Sequence, residues 1–245
     1  MKASRLHPRE DQIAELTRGQ RLPLPPIAHL HLDVIAETVA RVWSQLLEER
    51  NLVVTEGDEA EINAIIESRL NNLWSIDPLW SQLVSSVARG KESLSFDGTH
   101  LEKRPDISVY LTGKHPTFPI VVECKIIDRT AGKGIDLYCN TGISRFIVGE
   151  YAWASSDAIM IAYIRDSSSV AGHLSPFLEL GTRRSPDPWR TEQLPARAVG
   201  LRSEILSTRH GRSFKYPSAV GSAHPGSIVL WHLWLNGLKG VSDQS

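Results

Sequence analysis

The chain has 245 residues, of which 41% are apolar and 22% charged, proportions that fit a folded globular protein and exclude collagen-like, disordered and disulfide-dense classes. Lys and Arg number 27 against 28 Asp and Glu, so the net charge of -1 excludes a uniformly basic coat and leaves only local patches to steer a polyanion. Two cysteines, Cys124 and Cys139, cannot make a disulfide framework or a four-thiolate zinc site; they leave at most one bridge and fit a reducing cytoplasm.

Residues 1–28 read as an N-terminal arm: a polar stretch without a signal-peptide pattern, then Leu22-Pro23-Leu24-Pro25-Pro26, which forces extended backbone. No apolar run is long enough for a bilayer, so no membrane partner is expected. Residues 29–245 read as a single domain. Leu32, Ile35, Val39, Val42, Trp43, Leu46 and Leu47 recur at spacings of three and four and predict a helix over 31–50. A second helix is predicted to start at Thr55-Glu56-Gly57-Asp58 and to bury Ile62, Ile65, Ile66, Leu70 and Leu73. The acids in its first turn suit the helix dipole. Asp77-Pro78 predicts a short helix carrying Leu79, Trp80, Leu83 and Val84.

From about Leu94 the pattern turns to strands. Ile107, Val109 and Leu111 alternate, Thr112-Gly113-Lys114-His115-Pro116 reads as a turn, and residues 119–127 favour β, which together predict an antiparallel hairpin. A helix over 137–154, a buried strand over 158–164, a helix over 169–180 and a closing strand over 227–235 follow. The closing segment Trp231-His232-Leu233-Trp234-Leu235 suits a central strand or an interface. The whole predicts an α/β fold, a central mixed sheet flanked by helices.

The residues that bear chemistry are Pro105-Asp106 at the head of one strand and Glu123-Cys124-Lys125 in the next, with sixteen residues between Asp106 and Glu123. Strand alternation puts Glu123 and Lys125 on one face and Cys124 on the other. Flanked by Ile120-Val121-Val122 and Ile126-Ile127, both charges need partners, because an unpaired buried charge is very costly.

Pro105, Asp106, Glu123 and Lys125 together resemble the signature of the PD-(D/E)xK nuclease superfamily, with its restriction-endonuclease-like fold. The resemblance covers a core of about 58–165 and leaves 181–245 as a basic elaboration. It implies phosphodiester hydrolysis with magnesium, or manganese in its place, held by Asp106, Glu123 and the Cys124 carbonyl, oxygen ligands suited to a hard cation. Lys125 is then expected to orient or help deprotonate the attacking water and to stabilise developing charge. Members often carry a further acid on the helix before the hairpin; Glu61 and Glu67 are the candidates, with Glu61 slightly favoured and Asp97 a weaker third. Without catalysis, the same residues read as a buried ion-pair network.

Arg145, on the helix expected to border the cleft, is a candidate phosphate contact. Between Gly181 and Tyr216 eight basic residues face three acids, with Trp189, Phe214 and Tyr216 interleaved. This pattern suits a nucleic-acid face, and Arg209 and Arg212 are its candidate contacts. His210 is better read as a surface or core histidine than as a phosphate contact, and the other histidines define no zinc site. The resemblance implies DNA rather than RNA as substrate, in restriction or defence against foreign DNA. An RNA-directed nuclease or toxin and a non-catalytic nucleic-acid-binding module remain the alternatives. Relatives that cut both strands often act as dimers, which leaves a homodimer open.

Overall fold

A computed structural model describes residues 13, 15–92, 96, 104–114, 117–216 and 224–237. Asp97, most of the stretch from Leu94, the tip of the predicted turn and the first twelve residues lie outside the described residues.

Among the described residues, seven strands form one mixed sheet: β1 (Val84–Arg89), β2 (Ile107–Leu111), β3 (Ile120–Ile127), β4 (Asp157–Ile164), β5 (Thr191–Arg197), β6 (Leu206–His210) and β7 (Ile228–Asn236). Their order is β1-β2-β3-β4-β7-β6-β5. β3, β4 and β7 are parallel and the outer pairs antiparallel. The protein is thus an α/β fold with helices on both faces of a mixed sheet, as its sequence predicts.

One face is covered by α1 (His29–Glu48), α2 (Leu52–Glu56), α3 (Glu59–Asn72) and α4 (Pro78–Leu83). Leu32, Ile35, Val39, Val42, Trp43 and Leu46 of α1 and Ile62, Ile66 and Leu70 of α3 are buried there against Val122, Cys124, Ile126, Ile159 and Ile161. The other face meets α5 (Ile135–Leu137), a π-helix over Tyr138–Ile143, α6 (Ser144–Ile147), a second π-helix over Val170–Leu174 and α7 (Ser175–Thr182). Tyr138, Cys139, Ile143, Phe146 and Leu178 bury Val121, Ile127, Met160, Ala162 and Leu230. Every residue of β4 is buried, which is why this strand reads as an unbroken apolar run. Cys124 and Cys139 lie in these two different cores, both as free thiols, so the sheet separates them and they form no bridge.

Three sequence expectations change. The residues after Leu83 leave the helix and form β1, an edge strand whose Val84 and Val87 are buried while Ser85 and Ser86 are exposed; only pairing with β2 makes it a strand. The helix expected over 137–154 ends at Ile147, because Gly149 and Ala152 adopt positive φ and turn the chain. The Arg-rich passage, for which no strand is expected from the sequence, contributes the hairpin β5–β6, which extends the sheet beyond β7. β7, for its part, is an interior strand between β4 and β6. The proline-rich segment is extended and docked, with Leu24 N donating to Ala154 O at 2.7 Å and Ile27 N to Asp157 Oδ2 at 2.8 Å.

Candidate active site

The site forms where β2 and β3 part. Their pairing ends at Ile107 and Val122, whereas β3 continues beside β4 as far as Ile127. Among the described residues, the β2 side of β3 from Cys124 onward therefore presents backbone donors and acceptors with no strand to take them. Two carboxylates replace the strand. Asp106 Oδ2 accepts from Cys124 N at 2.8 Å, and Glu59 Oε2 accepts from Ile126 N at 3.1 Å.

Lys125 reaches into this opening. Its Nζ lies 2.8 Å from Glu123 Oε1, 3.1 Å from Glu59 Oε1 and 3.8 Å from Asp106 Oδ2, and donates to Cys124 O at 2.8 Å. The π-helix passes beside its stem at Gly142: a Cβ there would sit 3.8 Å from Lys125 Cγ, an ordinary contact, and 2.7 Å from Met160 Cε, so a larger residue requires the methionine's end to shift. Burial alone would lower the ammonium's pKa, but the carboxylates of Glu123, Glu59 and Asp106 outweigh it and hold the pKa above its ordinary value. Lys125 thus keeps its proton and offers a charge and a donor rather than a base.

Glu123 is fully buried, 0% exposed. Its Oε1 takes both Lys125 Nζ and, at 3.2 Å, Arg145 Nη1, while Oε2 has no hydrogen-bond partner among the described residues. Burial first, then the Asp106 charge, push its pKa up to about 8 against the pull of Lys125 and Arg145. Three carboxyl groups share two cations, and the deepest of them, Glu123, has an oxygen to spare.

The expected residues Asp106, Glu123, Lys125 and Cys124 therefore come together, Cys124 through its backbone. Arg145 joins them through Glu123 and is 36% exposed at its side chain. Other expectations are corrected. Glu61 is not part of the cluster: it is the third helical residue of α3, and its carboxylate accepts from Asp58 N while Asp58 accepts from Glu61 N, a reciprocal capping box. Glu67 pairs with Arg89. The acid that reaches Lys125 is Glu59, two residues ahead of Glu61 on α3; the Asp58-x-x-Glu61 box commits Glu61 to its own helix end but does not by itself point to Glu59. Arg212 is not a nucleic-acid contact either. It is buried, donates to the carbonyls of Trp153, Ala152 and Ser155, and has its pKa lowered by burial to about 10. Arg209 is exposed, but its register with Val229, beside Leu206 paired to His232, places it on the sheet face opposite Glu123. His210 is wholly buried.

The carboxyl and carbonyl oxygens of Asp106, Glu123 and Cys124 are hard donors, the kind of atom magnesium takes, and Glu123 Oε2 has no hydrogen-bond partner among the described residues. Among the described residues, no three His, Cys, Asp or Glu side chains stand in a ready ligand arrangement, and Lys125 is the cation at the centre. Comparison with protein-family models, with curated proteins and with solved structures gives no match to this chain.

Proposed function

We propose that this protein is a metal-dependent nuclease of the PD-(D/E)xK type, acting on DNA in a cytoplasmic, defence-like role. The observation that carries the reading is the convergence of Asp106, Glu123, Glu59 and Lys125 on the open edge of β3, with Glu123 Oε2 buried and unpartnered. Asp106, Glu123 and the Cys124 carbonyl are the residues that would hold magnesium or manganese. The metal, when bound, supplies Lewis acidity toward phosphate oxygens and an activated water. The chain's own residues do the rest. Lys125, kept protonated by its carboxylates, stabilises charge that develops beside Glu123. Glu59 anchors Lys125 while pinning the strand edge through Ile126 N. Arg145 binds a phosphate with the part of its guanidinium that faces solvent.

One observation favours a second reading: Lys125 is bonded to Glu123 and Glu59 directly, so the cluster also closes as an ion-pair network in a non-catalytic nucleic-acid-binding module. Incubation of plasmid DNA and total RNA with magnesium, manganese or chelator, beside Lys125→Ala, separates these readings. Metal-dependent DNA cutting that vanishes in the variant is the expected result. Cutting of RNA alone replaces the substrate with RNA and fits a toxin. Binding without cleavage under every condition establishes the module instead.

A further inference from the structure

Resting on the nuclease reading, we propose that Tyr151 is a positioning residue: its phenol braces Arg145 so that the guanidinium presents its free side to a phosphate. Tyr151 is buried in the turn after α6. Its hydroxyl accepts from Arg145 Nη1 at 2.7 Å and donates to the carbonyl of Arg104 at 2.7 Å, the residue that leads into Pro105-Asp106. The same Nη1 reaches Glu123 Oε1 at 3.2 Å. One nitrogen of Arg145 is therefore held from two sides, and the guanidinium carbon lies 5.2 Å from the centre of the Tyr151 ring. Among the described residues, no acceptor is hydrogen-bonded to Nε or Nη2 of Arg145. An arginine fixed at one end and open at the other is a preorganised donor pair for a phosphate, because its rotamers are restricted before the ligand arrives.

The phenol can be removed without removing the ring. In Tyr151→Phe the packing on Phe146, whose ring lies 6.0 Å away, remains, and Arg145 keeps its charge while losing its brace. The test measures binding of a short DNA duplex in chelator, over a salt series, for wild type, Y151F, R145A and the double variant. R145A is expected to weaken binding about 10-fold and to lower the salt slope by about one contact. Y151F is expected to weaken binding about 3-fold with little change of slope, since the charge is kept. In the R145A background, Y151F is expected to have no further effect.

Wild-type affinity in Y151F overturns the proposal. So does a Y151F effect that persists in full without Arg145, since Tyr151 would then act through the Arg104–Asp106 segment. R145K supplies an independent check should Y151F fold poorly. It keeps the charge but not the fork, so it is expected to bind as weakly as Y151F, and wild-type affinity in R145K overturns the brace. If the wild type binds no nucleic acid and cuts none, the nuclease reading falls and the brace with it; if it cuts while Y151F and R145A bind normally, only the brace falls.

Discussion

At Glu123 the cost of burying a carboxylate meets the reason for keeping one. A carboxyl whose folded pKa is raised to about 8 binds its proton more tightly folded than unfolded, so its contribution to stability is greatest below its ordinary range and is lost as pH rises to about 8. Glu123→Gln removes this penalty while keeping the shape. In chelator, the variant is expected to melt close to wild type near pH 5 and to gain on it by ~3 kcal/mol, an order-of-magnitude figure, as pH rises to 8. Cleavage is expected to be lost at every pH, because an amide is a poor ligand for a hard cation. Melting curves and plasmid cleavage on the same samples check both outcomes; a gap that stays constant with pH overturns the assignment of strain to this carboxyl. Of the residues involved, Asp106, Glu123 and Lys125 were legible as a short motif. Glu59 and Tyr151 were not, because their roles depend on hydrogen bonds to Ile126 N and Arg104 O, which no local pattern encodes.

The element that decides the site is β3, a strand with a partner on one side along its whole length and on the other side along only part of it. The divergence of β2 creates the opening, and α3 closes it with the carboxylate of its first residue, Glu59, one turn before the core residue Ile62. Glu59→Ala is expected to cost about 1–3 kcal/mol by leaving Ile126 N unpaired in a partly buried edge, and to abolish or strongly reduce cleavage by releasing Lys125. Glu61→Ala is expected to cost only about 1 kcal/mol through the lost cap and to leave cleavage intact. Thermal melts and cleavage rates of the two variants, compared side by side, test which glutamate serves the site. The strands β2, β3, β4 and β7 were readable from alternation or unbroken apolar runs. The strands β1, β5 and β6 were not, since Ser85, Ser86 and the arginines of the hairpin face outward and their pairing comes from neighbours distant in sequence.

Across the whole molecule, the second core holds a buried polar chain whose proton positions follow from its ends. Trp189 O can only accept, so His210 Nδ1 donates to it at 2.8 Å; His210 Nε2 then accepts from the Thr208 hydroxyl at 2.7 Å. Thr208 in turn accepts from His232 Nε2 at 2.8 Å, leaving His232 Nδ1 to accept from the Tyr138 hydroxyl at 2.7 Å. A proton added to either imidazole turns its accepting nitrogen into a donor, so the facing hydroxyl of Thr208 or Tyr138 loses its acceptor and must turn its own hydrogen elsewhere in a buried site. Burial lowers His210 to about 4 and His232 to about 3, so the folded state resists protons that the unfolded chain takes up below its ordinary histidine pKa. The stability these groups contribute is complete above about pH 6.5 and is lost as pH falls through about 4 and 3. Glu123 has the opposite slope. Wild type is therefore expected to be most stable near pH 6.5, whereas Glu123→Gln is expected to plateau above that pH and to fall more steeply below it. Urea midpoints from pH 4.5 to 8.5 measure both profiles; identical slopes below pH 6.5 contradict the opposed titrations.

The sequence by itself determined the α/β class, the apolar faces of α1 and α3, the central strands, and the motif of one acid followed by Glu-x-Lys, since periodicity and strand alternation are local properties of the chain. Tertiary structure alone decided which acid joins the motif, that Arg212 serves backbone carbonyls rather than a ligand, and that the Arg-rich passage extends the sheet. These outcomes depend on which backbone groups are left unpaired once strands have met, and that is settled between segments far apart in the chain.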